Sequence, residues 1–510
     1  MERFSTQEAR TLLLGKVWFE KVEGSVPLLH LDTIKNFGRG VIHFNQLKRL
    51  HLKKLIFSSF NIQDHRNLLL KTTAIKALRS TIYNQIVKTL RMTELQTIIV
   101  VLAVCQFLFE YYLKVLNEGH VSNLMDKQPE DSRSLMDDDT WQKASNYSLS
   151  KSKFSRIQEI FGFIVFFPIF LYILPKVFEV WPVTQLDSVW WAAFVATALL
   201  NVLQIPGLFF DWYNQFTLEE KFGFNKSTRK LWVVDKIKGT ILGFGLSYLL
   251  LALLIWMYRT ISEASPEYWW AAAFVVFFGI QLLLMVLYPK LILPLFNKLT
   301  PLEDGELKDR LMALSDKTGF KANTIEVIDG SKRSGHSNAY FTGFGKFRRI
   351  VLYDTLIKQM SIEEIEAVLA HEVGHYKMGH IPKRLVMSFI MGLGGFGLMG
   401  YLLDSEWFYL GLGLDSSLTS SLSPLIIGLS LTLGFFTYWL TPISNLFSRK
   451  HEFEADVFAK QAVGGAAPLI SALRKLYVEN LSHPLPHPLL AGFHYSHPTL
   501  LEREGAMRKE

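Results

Sequence analysis

Seven apolar runs divide the chain, near residues 95–113, 157–178, 189–210, 239–258, 268–288, 385–403 and 424–447. Each approaches or exceeds the roughly 20 residues that an α-helix needs to cross a bilayer, and most carry no charge, so they predict seven transmembrane helices rather than core helices of a soluble protein. Glu110 in the first run and Pro168, Pro175 and Pro206 in the next two do not suit a lipid-facing surface, and are expected to face the protein interior. Between the fifth and sixth runs the period changes. Ile362, Ile365, Val368 and Leu369 recur as one apolar stripe, with Ser361 placed to cap a helix and Glu364 three residues on to complete a capping box. The pattern predicts an amphipathic helix outside the membrane.

Composition agrees with that division. The 510 residues are 49% hydrophobic and 14% aromatic but only 20% charged, with a mean hydropathy of +0.20. Cys105 is the only cysteine and lies in an apolar run, which excludes an intramolecular disulfide, a thiolate metal site and a cysteine protease. No internal repeat or extended low-complexity tract occurs, and the polar, serine-rich stretch 117–156 with Asp137, Asp138 and Asp139 reads as a mobile loop.

Charge sets the orientation. Loops 114–156, 212–238, 289–384 and the tail after 447 fall on one face and are rich in lysine and arginine, whereas 179–188, 259–267 and 404–423 on the other contain only Arg259. The positive-inside rule makes the first face cytosolic. Residues 1–92 conflict with it: they carry 16 Lys+Arg against 6 Asp+Glu, and seven spans place them on the opposite side. Their basic patches, Lys48-Arg49 and Lys53-Lys54, read as a solvated face rather than a nucleic-acid site. The domain plan is therefore a basic N-terminal extension (1–92), helices one to five (93–288), a cytosolic-face region (289–384), helices six and seven (385–447) and a C-terminal region (448–510).

The amphipathic helix carries the chemistry. It contains His371-Glu372-Val373-Gly374-His375, in which residues four apart share a helical face, so that His371 and His375 are placed to hold one Zn²⁺ while Glu372 acts on a bound water. Gly374 leaves room there for a strand or substrate, or is simply a weak point in the helix. A third protein ligand is required. In His451-Glu452-Phe453-Glu454-Ala455-Asp456, Glu452 and Asp456 lie one turn apart, so Glu452 can ligate while Asp456 orients a ligand histidine. Glu454 competes with Glu452 on spacing alone, and His380 and His451 are further donors. Two spans separate the halves of this site, which places both on the cytosolic face.

Beyond these residues, Asp211-Trp212-Tyr213-Asn214-Gln215-Phe216, the stretch Glu219 to Thr228, and Ser331-Lys332-Arg333-Ser334-Gly335-His336-Ser337-Asn338-Ala339-Tyr340-Phe341 look like signatures of one family. From about Asp211 to Arg503 the chain resembles the type I CAAX prenyl proteases, integral-membrane zinc endopeptidases that process farnesylated proteins. The resemblance implies a mainly α, seven-helix chamber with a zincin-like region and a small β-sheet at its cytosolic end. It makes Glu452 the third ligand, keeps Asp456 beside the metal shell, and places Asn338 on an edge strand that grips substrate backbone. His497-Pro498-Thr499-Leu500-Leu501-Glu502-Arg503 resembles the family's H-P-x-x-x-x-R element, which implies that His497 and Arg503 stabilise the oxyanion or order the site. It further implies prenylated CAAX proteins as substrates, release of their last three residues, a second upstream cut in some of them, and residence in the endoplasmic reticulum membrane and the inner nuclear membrane. A membrane quality-control zinc protease acting on unfolded or translocon-jammed chains is the alternative that shares HExxH and the third-ligand glutamate; a non-enzymatic seven-helix channel or receptor would need the site to be vestigial. The long basic N-terminal segment departs from the family's short start.

Overall fold

Short polar side chains open the main helices by accepting the first free backbone N–H groups. Thr93 and Ser361 do so within complete capping boxes, with Gln96 and Glu364 as their partners, and Thr228 accepts from Leu231 N. The computed structural model describes residues 92–180, 188–320, 324–342 and 349–509; all of the basic extension except Met92 lies outside the described residues.

The described helices that concern the site are α1 (Glu94–Met125), α2 (Asp138–Pro168), α3 (Val189–Val202), α4 (Arg229–Ser262), α5 (Trp269–Leu287), α6 (Glu306–Thr318), α7 (Ile362–Lys377), α8 (His380–Leu403), α9 (Leu422–Thr437), α10 (Thr441–Val463), α11 (Ala467–Glu479), α12 (Pro488–His494) and α13 (Leu500–Lys509). Among the described residues, seven helical stretches are long and apolar enough to cross a membrane: Glu94–Met125, Asp138–Val180, Val189–Glu219, Arg229–Ser262, Trp269–Phe296, His380–Leu403 and Leu422–Val463. The protein is a multi-pass membrane protein, as the apolar runs predict.

The helices outlast those runs. The polar stretch 117–156, expected to be a mobile loop, is mostly the end of α1 and the start of α2, joined by a short segment with one helical turn. Their polar faces pair with each other instead of with water: Lys114 with Glu159, Arg156 with Glu118 at 3.0 Å, and Ser152 with Glu118 at 2.9 Å. Likewise, the seventh span does not stop at 447, because a single 3₁₀ turn (Tyr438–Leu440) joins α9 directly to α10. At Pro168 the missing N–H ends the regular ladder, and the chain passes through a π turn over Ile169–Ile173.

Inside the helical shell, Ala192, Ala193, Ala196 and Ala273 are buried among Phe170, Trp269, Leu403 and Tyr409, small residues letting backbones approach where lipid supplies no hydrophobic drive. A second core lies at the end carrying the sheet. There β1 (Leu299–Pro301), β2 (Thr324–Ile328), β3 (Ala339–Thr342) and β4 (Arg349–Tyr353) form a mixed sheet ordered β1-β2-β4-β3. β2 and β4 run parallel with Ile325 opposite Ile350, and among the described residues β3 pairs only with β4, antiparallel, which leaves it as an edge. Ile350 and Leu352 from the sheet, Leu311 and Leu314 from α6, and Ile365, Leu369 and Val373 from α7 pack in that core with Ala459, Leu469 and Leu500. The burial fixes α7 against the sheet on one side and α10 on the other.

Candidate active site

Two helices cross at unusually short range to make the site. A Cβ at Gly374 would lie 3.0 Å from both Cα and O of Ala455 and 3.2 Å from Cβ of Phe458, so only hydrogen fits where α7 meets α10. The room at Gly374 is thus taken by the α10 backbone, neither by a strand nor by substrate, and helical weakness is not its explanation.

That crossing faces His371 and His375 toward Glu452. The two Nε2 atoms stand 3.2 Å apart, with His371 Nε2 3.4 Å from Glu452 Oε2 and His375 Nε2 3.3 Å from Glu452 Oε1. One donor atom from each residue lies within 4.8 Å of the others. Glu452 is buried, and among the described residues its Oε2 makes no hydrogen bond. Burial alone would push the His371 imidazole down, but the carboxylates of Asp456 and Glu452 outweigh it and lift the group to about 9. A buried cluster that draws in positive charge, with imidazole nitrogens and an unpartnered carboxylate oxygen converging, fits a metal cation of moderate softness.

Each of these two histidines is held at its other nitrogen. His371 Nδ1 is 2.9 Å from Asp456 Oδ1, whose carboxylate receives two bonds from Arg503, Nε to Oδ2 at 2.8 Å and Nη2 to Oδ1 at 2.5 Å. Arg503 Nη2 also lies 3.3 Å from His371 Nδ1, but the shorter distance and the acceptor chemistry assign that proton to Asp456. His375 Nδ1 is 2.9 Å from His380 Nδ1, and His380 Nε2 is 2.8 Å from Glu454 Oε2. Glu454 therefore points away from the facing Nε2 atoms. His451 stacks on His380 with ring centroids 4.0 Å apart.

Glu372 is half-buried next to His371, and burial pushes its carboxyl above the ordinary glutamate range, against the pull of the neighbouring histidines and Arg503. His497 is exposed at the rim, with Nε2 3.4 Å from Glu452 Oε1; Arg503 is buried. Asn338 is exposed one residue ahead of β3; its carbonyl accepts from Tyr353 N at 3.1 Å, and its Oδ1 accepts from Ala339 N at 2.8 Å.

Residue spacing presents His380 and Glu454 only as rival ligands, and gives no sign of the brace behind the edge strand. There His336 stacks on Phe224 at 4.0 Å, with Nδ1 2.9 Å from Asn480 Oδ1 and Nε2 3.3 Å from Glu219 Oε2, to which Tyr147 also donates. The one signal in the sequence is that Glu219, Phe224 and His336 all lie within the signature stretches.

Seven membrane-crossing helices, joined to an HExxH helix and a buried glutamate, define an integral-membrane metallopeptidase. Residues 119–298 match the CAAX prenyl protease N-terminal family, described as five membrane helices, and residues 301–510 match peptidase family M48. The chain is 37% identical over 435 residues to CAAX prenyl protease 1 of Saccharomyces cerevisiae, covering 79% of this chain and 93% of that one, and 36% identical over 423 residues to the Dictyostelium discoideum homologue, covering 79% and 94%. The crystal structure of S. mikatae Ste24p superposes with a TM-score of 0.72 at 37% identity, covering 82% of this chain and all of that one. The chain belongs to the type I CAAX prenyl protease family and is a metalloendopeptidase.

Proposed function

We propose that this protein is a zinc endopeptidase that releases the last three residues of prenylated CAAX proteins, and makes a second upstream cut in some of them. The observation that carries this reading is the convergence of His371 Nε2, His375 Nε2 and the unpartnered Glu452 Oε2 beside the half-buried Glu372. The names of the similar proteins support the substrate class. His371, His375 and Glu452 match the two-histidine, one-glutamate donor set of catalytic zinc.

Bound there, Zn²⁺ would lower the pKa of a water and polarise the scissile carbonyl. Glu372, its basicity raised by burial, is the group placed to accept a proton from an attacking water and to return it to the leaving amine. His497 reaches the rim as an N–H donor for the developing oxyanion, whereas Arg503, held on Asp456 through Nε and Nη2, acts as a positioning residue. The edge of β3, entered through Asn338, is unpaired among the described residues and suits an extended peptide adding to the sheet beside α7. Membrane lipid confines a prenylated substrate near this end of the protein, since one lipid chain partitions reversibly. Residence in the endoplasmic reticulum membrane, with the site facing the cytosol, completes the reading.

Detergent-purified protein is expected to release the C-terminal tripeptide from a farnesylated CAAX peptide far faster than from its unfarnesylated twin. Chelation by 1,10-phenanthroline and the Glu372→Ala change should each abolish it. Equal cleavage of both peptides would point instead to degradation of unfolded or translocon-jammed chains.

A further inference from the structure

The metal ligand His375 is backed by side chains that the proposed reaction does not use. His380 is 1% exposed, sits at the start of α8, and has both ring nitrogens engaged, Nδ1 2.9 Å from His375 Nδ1 and Nε2 2.8 Å from Glu454 Oε2. Only one neutral proton arrangement satisfies both contacts. Glu454 accepts from His380 Nε2–H, which leaves His380 Nδ1 as an acceptor for His375 Nδ1–H, and that in turn exposes the His375 Nε2 lone pair toward Glu452.

We propose that Glu454 and His380 form a positioning relay that locks His375 in its metal-binding tautomer and orientation, the counterpart on one ligand of what Arg503 and Asp456 do on the other. The inference rests on the reading that His371, His375 and Glu452 hold the metal. It differs from the His371 side in inserting a second imidazole between ligand and carboxylate, and in joining three elements: α7, the first turn of the sixth span and α10.

A competing use of the same side chains would be a second ion held by His380, His451 and Glu454, whose donor atoms also lie within 4.8 Å of one another. The ring geometry argues against it. His380 and His451 are stacked at 4.0 Å with planes 14° apart, and imidazole lone pairs lie in the ring plane, so the two sets run side by side instead of converging on one ion. Both nitrogens of His380 are already paired as well.

Full-length protein in detergent tests the relay through metal binding, independently of turnover. Zinc retention against graded chelator, and the visible spectrum of the Co²⁺-loaded protein, are measured for His380→Ala, His380→Gln, Glu454→Ala and Glu454→Gln, with His375→Ala as the ligand control. His380→Ala should weaken zinc retention by about 10- to 100-fold and shift the Co²⁺ bands. His380→Gln should restore most of the loss, because an amide both accepts and donates, and Glu454→Gln should lose less than Glu454→Ala. With the farnesylated peptide, kcat should fall in His380→Ala while KM stays within about 2-fold. Because His380 is fully enclosed, Glu454, whose side chain is 32% exposed, carries the test if His380→Ala fails to fold. Wild-type zinc retention and an unshifted Co²⁺ spectrum in Glu454→Ala and His380→Ala would overturn the relay. Two equivalents of zinc in the wild type, falling to one in Glu454→Ala, would overturn it in favour of a second ion site, and failure of the wild type to bind zinc would remove the metal reading beneath it.

Discussion

At the scale of single residues, Glu372 and Gly374 make opposite demands on one helix. As the proposed general base, Glu372 has to be deprotonated to work, and burial lifts its carboxyl above the ordinary value. A general base works only when deprotonated, so kcat/KM should fall as pH drops through this raised pKa, with the acid limb of the profile above the roughly 4.3 of a free glutamate. Glu372→Gln should keep its metal and lose about 10²- to 10⁴-fold in turnover. Gly374 acts by steric fit alone. Gly374→Ala drives a methyl into the Ala455 backbone, and should cost about 1–3 kcal/mol while parting the ligand sets, seen as lower thermal stability together with weaker zinc retention. An unperturbed Gly374→Ala protein would show that the helices separate freely. The glycine was visible in the sequence, but its reason was not, because the atom it avoids lies on another helix 81 positions away, between 374 and 455.

At the scale of elements, how much could be read in advance depended on how local the cause is. The capping box at the start of α7 needs only Ser361 and Glu364, and both of its bonds form: Ser361 N to Glu364 Oε2 at 2.8 Å, and Glu364 N to Ser361 Oγ at 3.3 Å. The centres of the spans were equally legible, since hydropathy marks whatever sits in hydrocarbon. Their ends were not, because polar helix and polar loop have the same composition, and only the pairing of Glu118 with Arg156 and Ser152 across α1 and α2 distinguishes them. Spacing likewise leaves Glu452 and Glu454 as rivals, because the contact that draws Glu454 aside comes from His380 in a distant segment. Glu364 also binds α11, accepting from Ser471 Oγ at 2.6 Å and Lys475 Nζ at 2.7 Å. Burial alone would raise its carboxyl, but these donors outweigh burial and hold it below the ordinary range. A depressed folded pKa contributes stability that is present above the unfolded value and lost as pH falls through the folded one. Glu364→Ala should therefore lower stability by about 1 kcal/mol near pH 7 and flatten the loss of thermal stability on acidification, with kcat of the folded fraction little changed.

At the scale of the whole molecule, the distribution of lysine and arginine predicts a sidedness that one existing residue makes easy to test. Cys105 is the only cysteine, so Cys105→Ala gives a background with no thiol. On it, Lys509→Cys in the C-terminal helix and Ser417→Cys in the short turn between the sixth and seventh spans mark opposite faces; both positions are exposed. In sealed microsomes a membrane-impermeant maleimide should label Lys509→Cys directly and Ser417→Cys only after detergent. The reverse pattern would turn the catalytic end away from the cytosol.

The direct passage from α9 into α10 has a consequence for a newly made chain. Of the three proposed metal donors, His371 and His375 belong to a helix that is seated on the sheet, whereas Glu452 lies on the helix that prolongs the last span in the chain. On the proposed ligand set, therefore, the donors come together only once that span has docked, and a chain still lacking it would have no complete peptidase centre.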